Sequence, residues 1–158
     1  MKTLSLFIGL LLTVATTNLA AQTTTERKTM SEGVYEAIVL ALPDLNVKQA
    51  GDLWETYTDK QYDIRTKYNR KTKEYFSDDA SVAAIGKGNT FDMYAAIEEK
   101  GKGAQISVWY NLGGAYLSAK EHPDRFLEAE KMMIGFALEA AREKFAWTSL
   151  PRKRTWSK

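Results

Sequence analysis

The tightest constraint on this chain is the four-residue run Lys100-Gly101-Lys102-Gly103. It separates two stretches that alternate apolar and polar side chains. Phe91, Met93, Ala95 and Ile97 come before it, and Ile106, Val108, Tyr110 and Leu112 follow. A period of two marks strands with one buried face. A two-residue turn with glycine first has the type II′ form of a hairpin, so Lys100 must face Gly103. Counting back, Ile97 meets Ile106, Ala95 meets Val108, Met93 meets Tyr110 and Phe91 meets Leu112, all on one side. The opposite side pairs Glu98 with Gln105, Ala96 with Ser107 and Tyr94 with Trp109. Slipping the register by one residue would turn every core residue outward. The hairpin therefore predicts a core face and, behind it, an aromatic patch.

The other elements follow from caps and periods. Gly33 to Pro43 (GVYEAIVLALP) is apolar on both parities, which reads as an interior strand stopped by proline. Its Tyr35, Val39 and Ala41 fall on the side of Trp109. Asn46 with Gln49 three residues later is a capping-box pattern. Val47, Ala50, Leu53, Trp54 and Tyr57 then give a helix over about Val47 to Tyr62, with Trp54 on its core stripe. Thr66 to Phe76 alternates weakly and reads as one more strand, its lysines protecting an edge. Ser77 to Asn89 fits a turn of helix, a short edge strand or a loop. Pro123 suits the first turn of a second helix, expected to run to about Phe145 with Phe126, Ala129, Met133, Phe136 and Ala140 buried. The expected fold is α+β, a two-layer sandwich in the order β-α-β-β-β-α. A mainly antiparallel sheet of about four to five strands has both helices on one face.

The ends of the chain are of another kind. Lys2, the apolar Leu4 to Val14 and the small-residue exit Asn18-Leu19-Ala20-Ala21 form a secretory signal, too short to span a bilayer, which takes about 20 residues. Cleavage before Gln22 is expected, so residues 1–21 are the signal peptide and no stable membrane span remains. Residues 22–31 (QTTTERKTMS) are polar without an apolar period and read as a flexible leader. Residues 32–146 form a single α+β domain, and residues 147–158 a basic disordered tail. There is no cysteine, so packing alone must stabilise an exported, periplasmic or secreted protein. The full chain has 22 basic and 20 acidic residues. Without Lys2 and the tail's Arg152, Lys153, Arg154 and Lys158, the body holds 17 basic against 20 acidic side chains, a net of −3. The basic character belongs to the tail, and no nucleic-acid partner is expected.

The stretch GNTFDMYAAIEEKGKGAQISVWYNLGGAYLSAKEHPD, Gly88 to Asp124, resembles an uncharacterised family of small secreted bacterial envelope proteins. The resemblance implies a domain without assigned activity, often followed by a long charged helix. This chain departs from that pattern after Phe145, where AWTSLPRKRTWSK carries Pro151 and no heptads.

No catalytic residue and no cofactor can be assigned. There is no nucleophile elbow, HExxH, P-loop or calcium loop. Glu121, His122, Asp124 and Glu128 could be drawn as metal ligands, but proline splits them and a second histidine is missing. They read as a solvated helix start, and no metal site is expected. Asp78-Asp79 and Glu98-Glu99 are chain neighbours, so within a strand they diverge. Two readings remain. One is a non-catalytic module whose aromatic face (Tyr35, Tyr94, Trp109) binds a partner protein, a second copy as a homodimer, or an amphiphile. The other is a small carboxylate-dependent hydrolase or lyase whose acids converge only in three dimensions.

Overall fold

The hairpin forms with the register its turn dictates. Residues 22–149 are described by the computed structural model, with side chains through Lys144. Strand β5 (Phe91–Lys100) pairs antiparallel with β6 (Gly103–Asn111). Ile97 faces Ile106, Met93 faces Tyr110 and Tyr94 faces Trp109. Gly101 takes φ 61° while Lys102 is not in the positive region, as a type II′ turn requires. Gly103 is needed for a different reason. A Cβ there would lie 2.5 Å from the Leu42 carbonyl oxygen, so β6 starts against bare backbone.

Two strands precede the first helix, β1 (Thr23–Met30) and β2 (Gly33–Leu42). Helix α1 (Val47–Tyr62) follows, then a short hairpin of β3 (Lys67–Asn69) and β4 (Glu74–Ala80). The single turn α2 (Ala83–Gly86) leads to β5 and β6, and α3 (Pro123–Ser149) closes the described chain. The six strands lie in the order β1-β2-β6-β5-β4-β3, and every neighbouring pair is antiparallel. The α+β class holds, but among the described residues the sheet has six strands and there are three helices.

Helix α1 starts where its cap places it. The Asn46 side chain accepts from the Gln49 N–H at 2.9 Å, and the Gln49 side chain accepts from the Asn46 N–H at 3.0 Å. The main core lies between the sheet and the apolar stripes of α1 and α3. Trp54 packs edge-on against Phe136 at 5.0 Å between ring centroids, in one core with Ile38, Met93, Ile106 and Val108. The Tyr57 hydroxyl donates to the Met132 carbonyl at 2.8 Å, tying the helices together. Gly135 leaves room for that hydroxyl, since a Cβ there would sit 2.4 Å from it.

Three expectations are corrected. The segment read as a flexible leader is β1, paired with β2 from Thr23↔Leu40 to Met30↔Gly33. Its side chains are mostly exposed, so it holds by its backbone ladder and leaves no apolar period. The strand expected over Thr66 to Phe76 is a hairpin, turning through Lys73 at φ 60°, with the Lys73 N–H donating to the Asn69 carbonyl at 2.8 Å. The second helix continues to Ser149, past the expected boundary at 146. The expected signal and the tail from residue 150 onward lie outside the described residues.

The sheet is not flat, and this decides the fate of its second face. β1 and β5 are three strand positions apart in the order above, about 14 Å in a flat sheet. Yet Lys28 of β1 reaches Glu98 of β5 at 3.1 Å. The Ser31 N–H, in the β1–β2 turn, donates to Glu74 of β4 at 2.8 Å. The β2–β6 pairing covers only Ile38 to Leu42. The first half of β2 leaves β6 with β1 still attached, and the hairpin folds across the face opposite the helices.

Candidate functional site

That fold-over builds a second, smaller core from Met30, Ala37, Val39 and Trp109. Trp109 is 1% exposed, and its indole N–H donates to the Tyr35 carbonyl at 3.4 Å. The large ring on the polar parity of β6 is thus covered by the segment that looked like a leader. The residue is structural and offers no surface to a ligand. Glu74, 5% exposed, accepts the Ser31 N–H and so holds the hairpin tip down.

Around this core stands a rim of half-buried tyrosines. Tyr35, Tyr94 and Tyr116 all pack against it. Tyr94 lies opposite Trp109 in the ladder, as expected, while its nearest ring partner is Phe76 of β4 at 4.9 Å. Tyr35 stacks on Tyr116 with centroids 3.6 Å apart and planes within 16°. Sequence reasoning brought Tyr35, Tyr94 and Trp109 to one face and passed over Tyr116. That residue follows Gly113-Gly114, where Gly113 has φ 88° and the Leu112 N–H donates to the Ala115 carbonyl at 2.8 Å. The tight turn folds the chain back so that Tyr116 bridges Asn111. The glycine pair was the available signal, since it ends β6 with a reversal rather than a linker.

Two open grooves flank the Tyr35–Tyr116 stack. One, about 450 Å³, is lined by Arg27, Val34, Glu36, Lys120 and Glu121 together with both tyrosines. The other, about 420 Å³, lies between Glu32, Asn111 and the Gly113–Ala115 turn, again with both tyrosines. Arg27 donates to the Val34 carbonyl at 3.2 Å. Glu36 accepts the Ala119 N–H at 2.6 Å, anchoring the loop before α3. The stack is a shared wall between two recesses with charges of both signs.

Two phenols of this rim, Tyr94 and Tyr116, ionise late. Burial, then the neighbouring Tyr94 and Tyr35 phenols and the Glu32 carboxylate, push Tyr116 up to about 12. Burial, then Glu32 and Asp92, raise Tyr94 as well. Burial also raises Tyr57 and Tyr110 in the main core. A folded-state value above the unfolded value of 10.0 means that the folded protein binds more protons than the unfolded chain above pH 10. Stability is therefore complete below pH 10 and falls as pH rises towards about 12. Titration of phenolate absorbance on the folded protein should show these tyrosines lagging behind the unfolded chain. All eight tyrosines ionising together near pH 10 would contradict this packing.

Among the described residues one acidic group has ligand-like spacing. Carboxylate oxygens of Asp78, Asp79 and Asp92 lie within 4.8 Å of one another, at the register shift between β4 and β5. Asp79 takes φ 51°, which turns its side chain towards its neighbours instead of alternating with Asp78. Protein groups already engage two of these residues. Thr90 donates to Asp79 at 2.9 Å, and the Asp79 N–H donates to Asp92 at 3.2 Å. A hard cation would suit such oxygens, and the trio is exposed or half-buried. His122, with Nδ1 buried and unpartnered, is not part of this group.

No family model matches the chain, and searches of curated proteins and of solved structures find no match. No helix among the described residues is long and apolar enough to cross a membrane.

Proposed function

We propose that this protein is an exported, non-catalytic interaction module that holds a partner polypeptide along the rim formed by Tyr35, Tyr94 and Tyr116. One observation carries the reading: the Tyr35–Tyr116 stack is shared by two open grooves. Stacked, half-buried tyrosines offer apolar area at small entropic cost, and their hydroxyls remain available for hydrogen bonds. Arg27 and Lys120 stand beside Glu36 and Glu121 in the larger groove. Mixed charge of this kind suits a peptide with side chains of both signs better than a lipid tail. Trp109 supports the rim from below. The signal-like amino terminus and the resemblance of Gly88 to Asp124 to secreted envelope proteins support export.

The hydrolase or lyase reading rests on Asp78, Asp79 and Asp92. These residues sit on the bulge at the register shift, and neither groove beside the tyrosine stack includes them. The binding reading therefore stands first.

Site-specific photo-crosslinking tests it. A photoreactive phenylalanine analogue is placed at Tyr116 and, as a control, at Tyr68, which is 47% exposed on edge strand β3. In the native host, the Tyr116 position should yield one discrete protein adduct that is absent from the Tyr68 position. An adduct with the mass of two chains would assign the rim to self-association. Lipid adducts alone, or the same pattern from both positions, would overturn the reading.

A further inference from the structure

Helix α3 carries a second apolar stripe that its own fold does not use. Leu127, Ile134 and Leu138 are 52%, 39% and 55% exposed. Their spacing places them along one line of the helix, opposite the stripe of Ala129, Met133 and Phe136 that faces the sheet. Isolated exposed apolar residues need no explanation, but three on one line of a helix, interrupted only by Lys131, do. At its carboxyl-terminal end the line enters an apolar groove of about 310 Å³. There Ala137, Leu138 and Ala141 face Ala41, Leu42 and Pro43.

The stripe is large at one end and small at the other. Ile134 lies midway between Leu127 and Ala141 in the sequence. A second α3 laid antiparallel about Ile134 therefore sets each Leu127 opposite the other copy's Ala141, at the mouth of the groove. The pairing is made twice, as a two-fold interface requires. Charge agrees with shape. Asp124, Glu128 and Arg142 lie on the same flank of α3, the acids near its start and the arginine near its end. Antiparallel pairing brings Arg142 of one copy against the acids of the other. Glu128 and Arg142 now make exposed pairs with Lys131 at 2.6 Å and Glu139 at 3.1 Å, contacts that cost little to share. Lys131, the charge at the edge of the stripe, falls beside Leu138 of the other copy, where its stem can lie flat and its amine reach water.

We infer that α3 is a homodimerisation surface, pairing antiparallel with a second copy of this chain through Leu127, Ile134 and Leu138. The surface lies apart from the tyrosine rim, so the dimer would present two rims. The test is the native mass of the protein recovered from its host, measured by light scattering over a dilution series. The wild type should have the mass of two chains and Ile134→Asp the mass of one. The melting temperature of Ile134→Asp, read where the wild type is also dissociated, should be nearly unchanged. Arg142→Glu should weaken the dimer, and adding Glu128→Arg should restore it, whereas Tyr116→Ala should leave it intact. A wild-type monomer throughout would overturn the inference. So would a wild-type monomer that dimerises only when residues 150–158 are removed, which would assign the stripe to the chain's own carboxyl-terminal segment. A dimer that persists in Ile134→Asp would place the interface elsewhere.

Discussion

Trp109→Ala is expected to lower stability by about 3–5 kcal/mol, the range for deleting a core tryptophan. The residue is on the face away from both helices, where a bare cross-strand aromatic pair would contribute only about 0.5–1 kcal/mol. The larger value follows from the fold-over. The β1–β2 hairpin seals the indole against Met30 and Val39, so truncation opens a cavity instead of trimming a surface. Trp54→Ala, in the main core and 0% exposed, should cost about as much. Urea denaturation of the two variants beside the wild type makes the comparison. A loss near 1 kcal/mol for Trp109→Ala would mean that its face is open to water.

Removing residues 22–31 should have a still larger effect. This deletion takes away the whole β1 ladder, Met30 from the second core, the Lys28–Glu98 ion pair and the Ser31 donor to Glu74. It leaves Trp109 exposed and the Glu74 carboxylate without its backbone partner. Global stabilities of about 5–15 kcal/mol leave little reserve against such a sum, so the shortened chain should lose cooperative unfolding at room temperature. Circular dichroism in the aromatic region with a thermal scan would show this. A sharp transition within about 5 °C of the full-length protein would make β1 an ornament rather than a wall.

These two expectations mark where sequence reasoning succeeded and where it could not. The β5–β6 register was legible because a two-residue turn leaves no freedom, and the start of α1 because a capping box is local chemistry. Trp109 was placed on the correct face, since alternation decides faces. Its burial was not legible, because burial depends on what covers the face. Here the cover is Thr-rich and charged, contributes one buried side chain, Met30, and binds through backbone groups that every sequence has. The β3–β4 turn was hidden for a related reason. Its left-handed residue is Lys73, where glycine or asparagine would have signalled a reversal. The end of α1 at Tyr62 was read correctly, although its cap, Asp63 at φ 56°, carries no glycine signal. Tyr116 was missed because no reversal was drawn from Gly113-Gly114, the turn that aims it at Tyr35.

On the proposed reading, labour on this face is divided: the Tyr35–Tyr116 stack recognises, and Trp109 beneath it supports. One measurement tests it most directly. The Tyr116→Ala protein is assayed for its melting temperature and for its affinity towards the polypeptide crosslinked at that position. The stack should contribute about 1 kcal/mol to stability, so the melting temperature should fall by only a few degrees. If Tyr116 is a binding hot spot, worth about 2 kcal/mol or more to the complex, the dissociation constant should rise about 30-fold. An unchanged affinity, or a loss of stability as large as that of Trp109→Ala, would contradict the claim.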